Sequence, residues 1–63
     1  MQMKRWIISK LSRLDRGTIH DTAFADYMTH SGGMLVFKKR AAHGYPEVVA
    51  VYAPGRWLDV VAA

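Results

Sequence analysis

The chain has 63 residues, nine of them Lys or Arg and five Asp or Glu, for a formal charge of +4; 51% are apolar and none is cysteine. A chain this short makes one domain at most, residues 1–63. The absence of cysteine excludes a disulfide framework, a thiolate zinc site, an iron–sulfur cluster and thiol catalysis.

Residues 3–14 read as a helix. Met3, Trp6, Ile7, Leu11 and Leu14 follow the i, i+3, i+4 rule and form one stripe. Arg5, Arg13 and Arg16 fall opposite it, and Gly17 stands where a left-handed residue would close the helix. The rival reading is a short strand over residues 5–9, because Trp and Ile favour strands. Residues 19–30 read as a second helix. Thr18 is its cap, Ile19, Ala23, Phe24, Tyr27 and Met28 are its apolar face, and Gly32-Gly33 is its stop.

The remainder reads as a three-stranded antiparallel meander over residues 34–41, 47–53 and 56–62. His43-Gly44-Tyr45-Pro46 and Pro54-Gly55 supply the turns. A tight turn at Pro54-Gly55 pairs Val51 with Leu58 and Val49 with Val60. Pairing Ala41 with Glu47 sets Phe37 against Val51 and Leu35 against Ala53. The core face is then Leu35, Phe37, Val49, Val51, Leu58 and Val60. The expected fold class is α+β, with two short N-terminal helices packed on one face of the meander (ααβββ).

The opposite sheet face would stay uncovered. It would carry Met34, Val36, Lys38, Arg40, Val48, Ala50, Tyr52, Trp57, Asp59 and Val61, with Tyr52 and Trp57 as cross-strand neighbours. Such a face is an expected partner-binding surface. Its contact set is Lys38, Arg40, Tyr52, Trp57 and Asp59, with Asp59 able to pair Lys38, Arg40 or a partner's arginine. Arg5, Arg13 and Arg16 on the first helix form a second basic surface. The bland alternatives are a cross-strand aromatic pair that only stabilises a hairpin, or the N-terminal segment folded over the face.

Catalytic and metal chemistry find little footing. His20, His30 and His43 fit no ligand spacing. Asp21 and Asp26 do not share a helix face, and a chain of this size can scarcely build both a core and a walled pocket. No enzyme activity, metal or cofactor is expected. The longest N-terminal apolar run, Trp6-Ile7-Ile8, is too short for a leader or a membrane span, so the expected location is the cytoplasm, without membrane contact.

No motif specifies a family. Chains of this size mostly act by binding. The leading expectation is an inhibitor or modulator of the kind that phages and mobile elements encode. It would dock on a larger host protein or ribonucleoprotein, such as a CRISPR effector, nuclease or polymerase, and block its nucleic-acid or partner site. The alternatives are direct binding of RNA or single-stranded DNA by the basic, aromatic face, and a homodimer that buries that face against itself.

Overall fold

Alternation, not the helical repeat, governs the N-terminal half. The computed structural model describes residues 3–40 and 44–63, and among them there is no helix. They form six strands: β1 (Lys4–Leu11), β2 (Thr18–Ala25), β3 (Tyr27–Ser31), β4 (Met34–Lys39), β5 (Glu47–Tyr52) and β6 (Asp59–Ala62). The fold is therefore all-β, and the expected α+β class is corrected. Both segments read as helices, 3–14 and 19–30, are strands joined by a loop.

The reason lies in which residues are buried. The helical stripe leaves out Ile8, yet Ile8 is fully buried; it includes Leu14, which is 98% exposed at the tip of the β1–β2 loop. Along β1 the inward positions are Trp6, Ile8 and Lys10, every second residue, as a pleated strand requires. In β2, Ala23 and Ala25 are buried while Phe24 between them is 54% exposed. Thr18, Ile19 and Thr22 add β-branched side chains, which pack well on a pleated surface. Between the strands, Ser12 N–H donates to the Gly17 carbonyl at 2.7 Å, and Asp15 accepts from Gly17 N–H at 2.9 Å. The left-handed position here is Arg16 (φ 59°), not Gly17.

The strands build two antiparallel three-stranded sheets, in the orders β2-β1-β6 and β3-β4-β5. Asp26 is the corner between them. Its N–H donates to the Lys38 carbonyl at 2.9 Å, and its carboxylate accepts from the Arg40 N–H at 2.6 Å. The chain thus leaves β1 at Ala25 and joins β4 from Tyr27, so β2 and β3 act as one bent strand shared by both sheets. The sheets close on Ile8, Ala23, Ala25, Leu35 and Phe37, flanked by Trp6, Met28, Ala50, Tyr52, Trp57 and Val60. Phe37 meets Trp6 at a tilt and Tyr52 edge-on, with ring centroids 5.8 and 5.9 Å away.

Gly32-Gly33, read as a helix stop, is a two-residue hairpin turn. Both residues have positive φ (59° and 84°), and Ser31 pairs with Met34 across them. That is the twist-matched turn that joins antiparallel strands best. A Cβ on Gly33 would also meet the Pro54 Cβ at 3.1 Å, whereas one on Gly32 would meet nothing. Gly33→Ala is expected to cost more than Gly32→Ala. The left-handed penalty of about 1–2 kcal/mol is common to both, and the Pro54 contact adds to it at Gly33 alone. Urea midpoints of the two variants check this ordering.

The meander also needs correction. Strands β4 and β5 pair, but Phe37 stands opposite Ala50 and Leu35 opposite Tyr52, with a register irregularity between Phe37 and Lys38. The extra residue turns β5 over, so Ala50 and Tyr52 face the core while Val49 and Val51 are exposed. The third strand is shorter than expected and does not return to β5; β6 pairs with β1, Val60 opposite Ile8. The turn at Pro54-Gly55 does form, with Arg56 N–H donating to the Ala53 carbonyl at 3.1 Å and Gly55 at φ 80°. Pro followed by a positive-φ Gly is the type II pattern, which splays strands instead of returning them as a hairpin. Leu58 is consequently exposed, and Leu35, Phe37 and Val60 remain from the expected core. Ala41, at the end of the expected first strand, and His43, in the expected first turn, lie outside the described residues.

Candidate binding groove

The splayed turn leaves a gap between the sheets. The β1–β2 hairpin end forms one wall with Lys10, Leu11, Arg13 and Ile19; Tyr52 and the turn carrying Arg56, Trp57 and Leu58 form the other. The space between them is an open groove of about 440 Å³, within the range of small-ligand clefts. A walled core and a groove therefore coexist in this small chain, because two thin sheets enclose few buried side chains. The lining carries three cations and two aromatic rings, and no histidine, serine or carboxylate.

Each aromatic is fixed by its polar atom. Trp57 Nε1–H donates to the Gly33 carbonyl at 2.7 Å, and the His30 ring meets its indole edge-on at 5.3 Å. Tyr52 Oη–H donates to Asp21 Oδ2 at 3.0 Å. Both rings also pack against the core, so Trp57→Ala would disturb fold and groove together.

Asp21 sits behind the groove and takes two partners on one oxygen. Lys10 Nζ lies 2.8 Å from the same Oδ2. The Lys10 ammonium holds the Asp21 carboxyl below its ordinary value, with the Tyr52 hydroxyl helping against partial burial. Tyr52 is pushed up, first by burial and then by the Asp21 charge beside it. A carboxyl whose folded pKa is depressed stabilises the fold fully above its unfolded pKa. It loses that contribution as pH falls through the folded value. The stability gap between wild type and Asp21→Asn should therefore be widest above about pH 4, narrow as the pH falls further and close below the folded value. Denaturant unfolding at stepped pH measures it, and a gap unchanged across that window would contradict it.

Among the described residues, neither Arg13 nor Arg56 has an ion-pair partner. Lys10 is paired with Asp21, so the net charge of the groove rests mainly on these two guanidinium groups.

The expected contact set does not assemble on one face. Tyr52 and Trp57 share the groove, although on different elements and not as cross-strand neighbours of one hairpin. Lys38 pairs with Tyr27 and Val48 on the exterior of the β3-β4-β5 sheet, on the side away from Tyr52. Arg40 follows β4, tied through its backbone to Asp26. Asp59 lies opposite Ser9, not Ala50, on the exterior of the other sheet. Of the second basic surface, Arg13 enters the groove, Arg16 turns the loop, and Arg5 pairs with Phe24 near the far end of β1. Arg5 and Arg13 are thus separated by about 20 Å of strand, instead of sharing a helix face.

Lys10, Arg56, Leu11, Ile19 and Leu58 are groove residues that the linear reading missed. The strand alternative over residues 5–9, extended to Leu11 and paired with β2, would have set Lys10 on the Asp21 side. Another grouping also emerged only with the strands. His20, Ser9 and Asp59 form a row across the β2-β1-β6 exterior, with Ser9 Oγ and His20 Nδ1 3.0 Å apart. Asp59 adjoins Ser9 and not His20, so among the described residues no carboxylate orients the imidazole, and the row lacks the order that a proton relay needs.

Among the described residues, no group of three or more His, Cys, Asp or Glu could hold a metal ion. No helix among them is long and apolar enough to cross a membrane. No protein-family model, curated protein or solved structure matches the chain.

Proposed function

We propose that this is a non-enzymatic binding protein of the cytoplasm whose groove takes single-stranded RNA or DNA. One observation carries the reading: Arg13 and Arg56, without carboxylate partners among the described residues, converge with Lys10 on a groove that also holds Tyr52 and Trp57. Cations track a phosphate backbone while rings pack against bases, and a narrow open groove admits a single strand more readily than a duplex. The overall charge of +4 favours approach of a polyanion.

The test is a titration of short single-stranded RNA and DNA oligonucleotides at low salt, read by tryptophan fluorescence and by anisotropy of the labelled strand. Saturable binding that weakens steeply with salt supports the reading; no change in either signal at low salt removes it.

A second reading has its own support. Leu11, Ile19 and Leu58 at the groove are each about half exposed, which is more aliphatic surface than a sugar–phosphate strand uses. The same groove would then dock on an acidic, partly apolar patch of a larger host protein or ribonucleoprotein and block its site, as an inhibitor does. Nuclease-resistant association with such a complex, lost in Leu11→Ser/Leu58→Ser, would favour this reading.

A further inference from the structure

The directional polar atoms along the groove are engaged by the protein itself. Trp57 has one side-chain donor, its indole N–H, and that donor is bound to the Gly33 carbonyl at 2.7 Å. The one hydroxyl hydrogen of Tyr52 goes to Asp21 Oδ2 at 3.0 Å. On the Trp57 wall, the Arg56 N–H donates to the Ala53 carbonyl at 3.1 Å and the Leu58 N–H to the Ser9 carbonyl at 2.6 Å. Lys10 Nζ is held at 2.8 Å by Asp21. Apart from Arg13 and Arg56, the rest of the lining is aliphatic or glycine.

Two kinds of contact are left for a ligand. The first is the ring surface of Tyr52 and Trp57, whose orientation is fixed by those hydrogen bonds and, for Trp57, by His30 edge-on at 5.3 Å. The second is the charge of Arg13, in the β1–β2 loop, and Arg56, in the turn after Gly55. Among the described residues, no ion pair or hydrogen bond braces either guanidinium.

Reading a base edge takes a donor fork held in the plane of the base. A phosphate makes no such demand, so a long unbraced guanidinium serves it well and carries no sequence information. Stacking is equally tolerant, since every base has a π face. Telling RNA from DNA takes a group placed for the 2′-hydroxyl, and the one lining hydroxyl, on Tyr52, is already engaged by Asp21.

On the reading of the groove as a single-strand site, on which this rests, we propose that the site is sequence-tolerant. It takes RNA and DNA alike, stacks bases on Tyr52 and Trp57, binds phosphates through Arg13 and Arg56, and reads no base edge.

Anisotropy titrations of the whole chain at one low salt concentration test this. The labelled strands are equal in length: dT, dC, dA, alternating dG and dT, the matched pair dU and rU, and an abasic sugar–phosphate strand. Dissociation constants of all the base-bearing strands are expected within about tenfold of one another. The abasic strand is expected to bind at least about tenfold more weakly than dT, because it has nothing to stack. Arg13→Ala/Arg56→Ala is expected to weaken every base-bearing strand by a similar factor. A wider spread among bases, or between dU and rU, would overturn sequence tolerance while leaving the groove as a single-strand site. So would a loss in the double variant confined to the dG-bearing strand, which would mark guanine readout by the arginines. An abasic strand that binds as tightly as dT would remove stacking and leave charge alone, which overturns the proposal as well. Failure of every strand to bind is a different result, because it removes the single-strand reading itself and this proposal with it.

Discussion

Phe37→Ala is expected to abolish cooperative folding at room temperature. Phe37 is fully buried and touches Trp6 and Tyr52 through its ring. Removing a buried phenylalanine typically costs about 3–5 kcal/mol, as transfer energy plus the cavity left behind. A single core in a domain this small rarely supplies more than about 3–5 kcal/mol in total. The two ranges coincide, so the loss consumes the whole margin. Phe24→Ala is the matched control. The residue type is the same, but Phe24 is half-exposed on the sheet exterior, and the expected loss is about 1 kcal/mol or less. Far-ultraviolet circular dichroism with urea unfolding reads both. Near-equal losses would mean that Phe24 faces a core, as a helix over residues 19–30 requires, and would reject the strand arrangement.

The same pair of residues shows why part of the fold was legible and part was not. In a helix reading, Phe24 joins Ala23, Tyr27 and Met28 on one face; in a strand reading, Ala23 and Ala25 point inward and Phe24 points out. Small inward residues carry a weak hydrophobic signal, so the aromatic captured the pattern. In β1, Ile7 serves the helical stripe and its neighbour Ile8 the alternation, and only burial decides between them. Strands β4 and β5 were legible because Gly and Pro punctuate them and valines fill them. The β5 register was not, because one bulged residue inverts every side chain after it. Pro54-Gly55 held more information than its use as a turn marker. Its type II geometry forbids an easy hairpin, and that splay sends β6 to β1. Tyr52 and Trp57 drew notice through their chemistry, and both line the groove. Lys10 and Arg56 were not, because their position depends on that long-range pairing.

Arg13→Ala/Arg56→Ala should remove most of the salt dependence of oligonucleotide binding. Each phosphate neutralised on a single strand contributes about −0.7 to the slope of log K against log salt. With Lys10, Arg13 and Arg56 all engaged, the wild-type slope is about −2.1, and affinity falls about 20-fold between 50 and 200 mM salt. Without the two arginines the slope is about −0.7, and the same change in salt weakens binding only about threefold. The fold should be untouched, since among the described residues neither arginine holds an ion pair. Lys38→Ala separates the groove from the contact set first read around Lys38. Lys38 lies on the far side of the β3-β4-β5 sheet, so its removal should leave the slope where it was. If Lys38→Ala flattens the slope and the double arginine variant does not, the strand runs over the sheet exterior and the groove is not its site. If both variants keep the wild-type slope, the charge that matters lies on neither surface. The aliphatic rim of the groove then becomes the stronger lead, because apolar contacts are nearly insensitive to salt over this range while phosphate contacts are not.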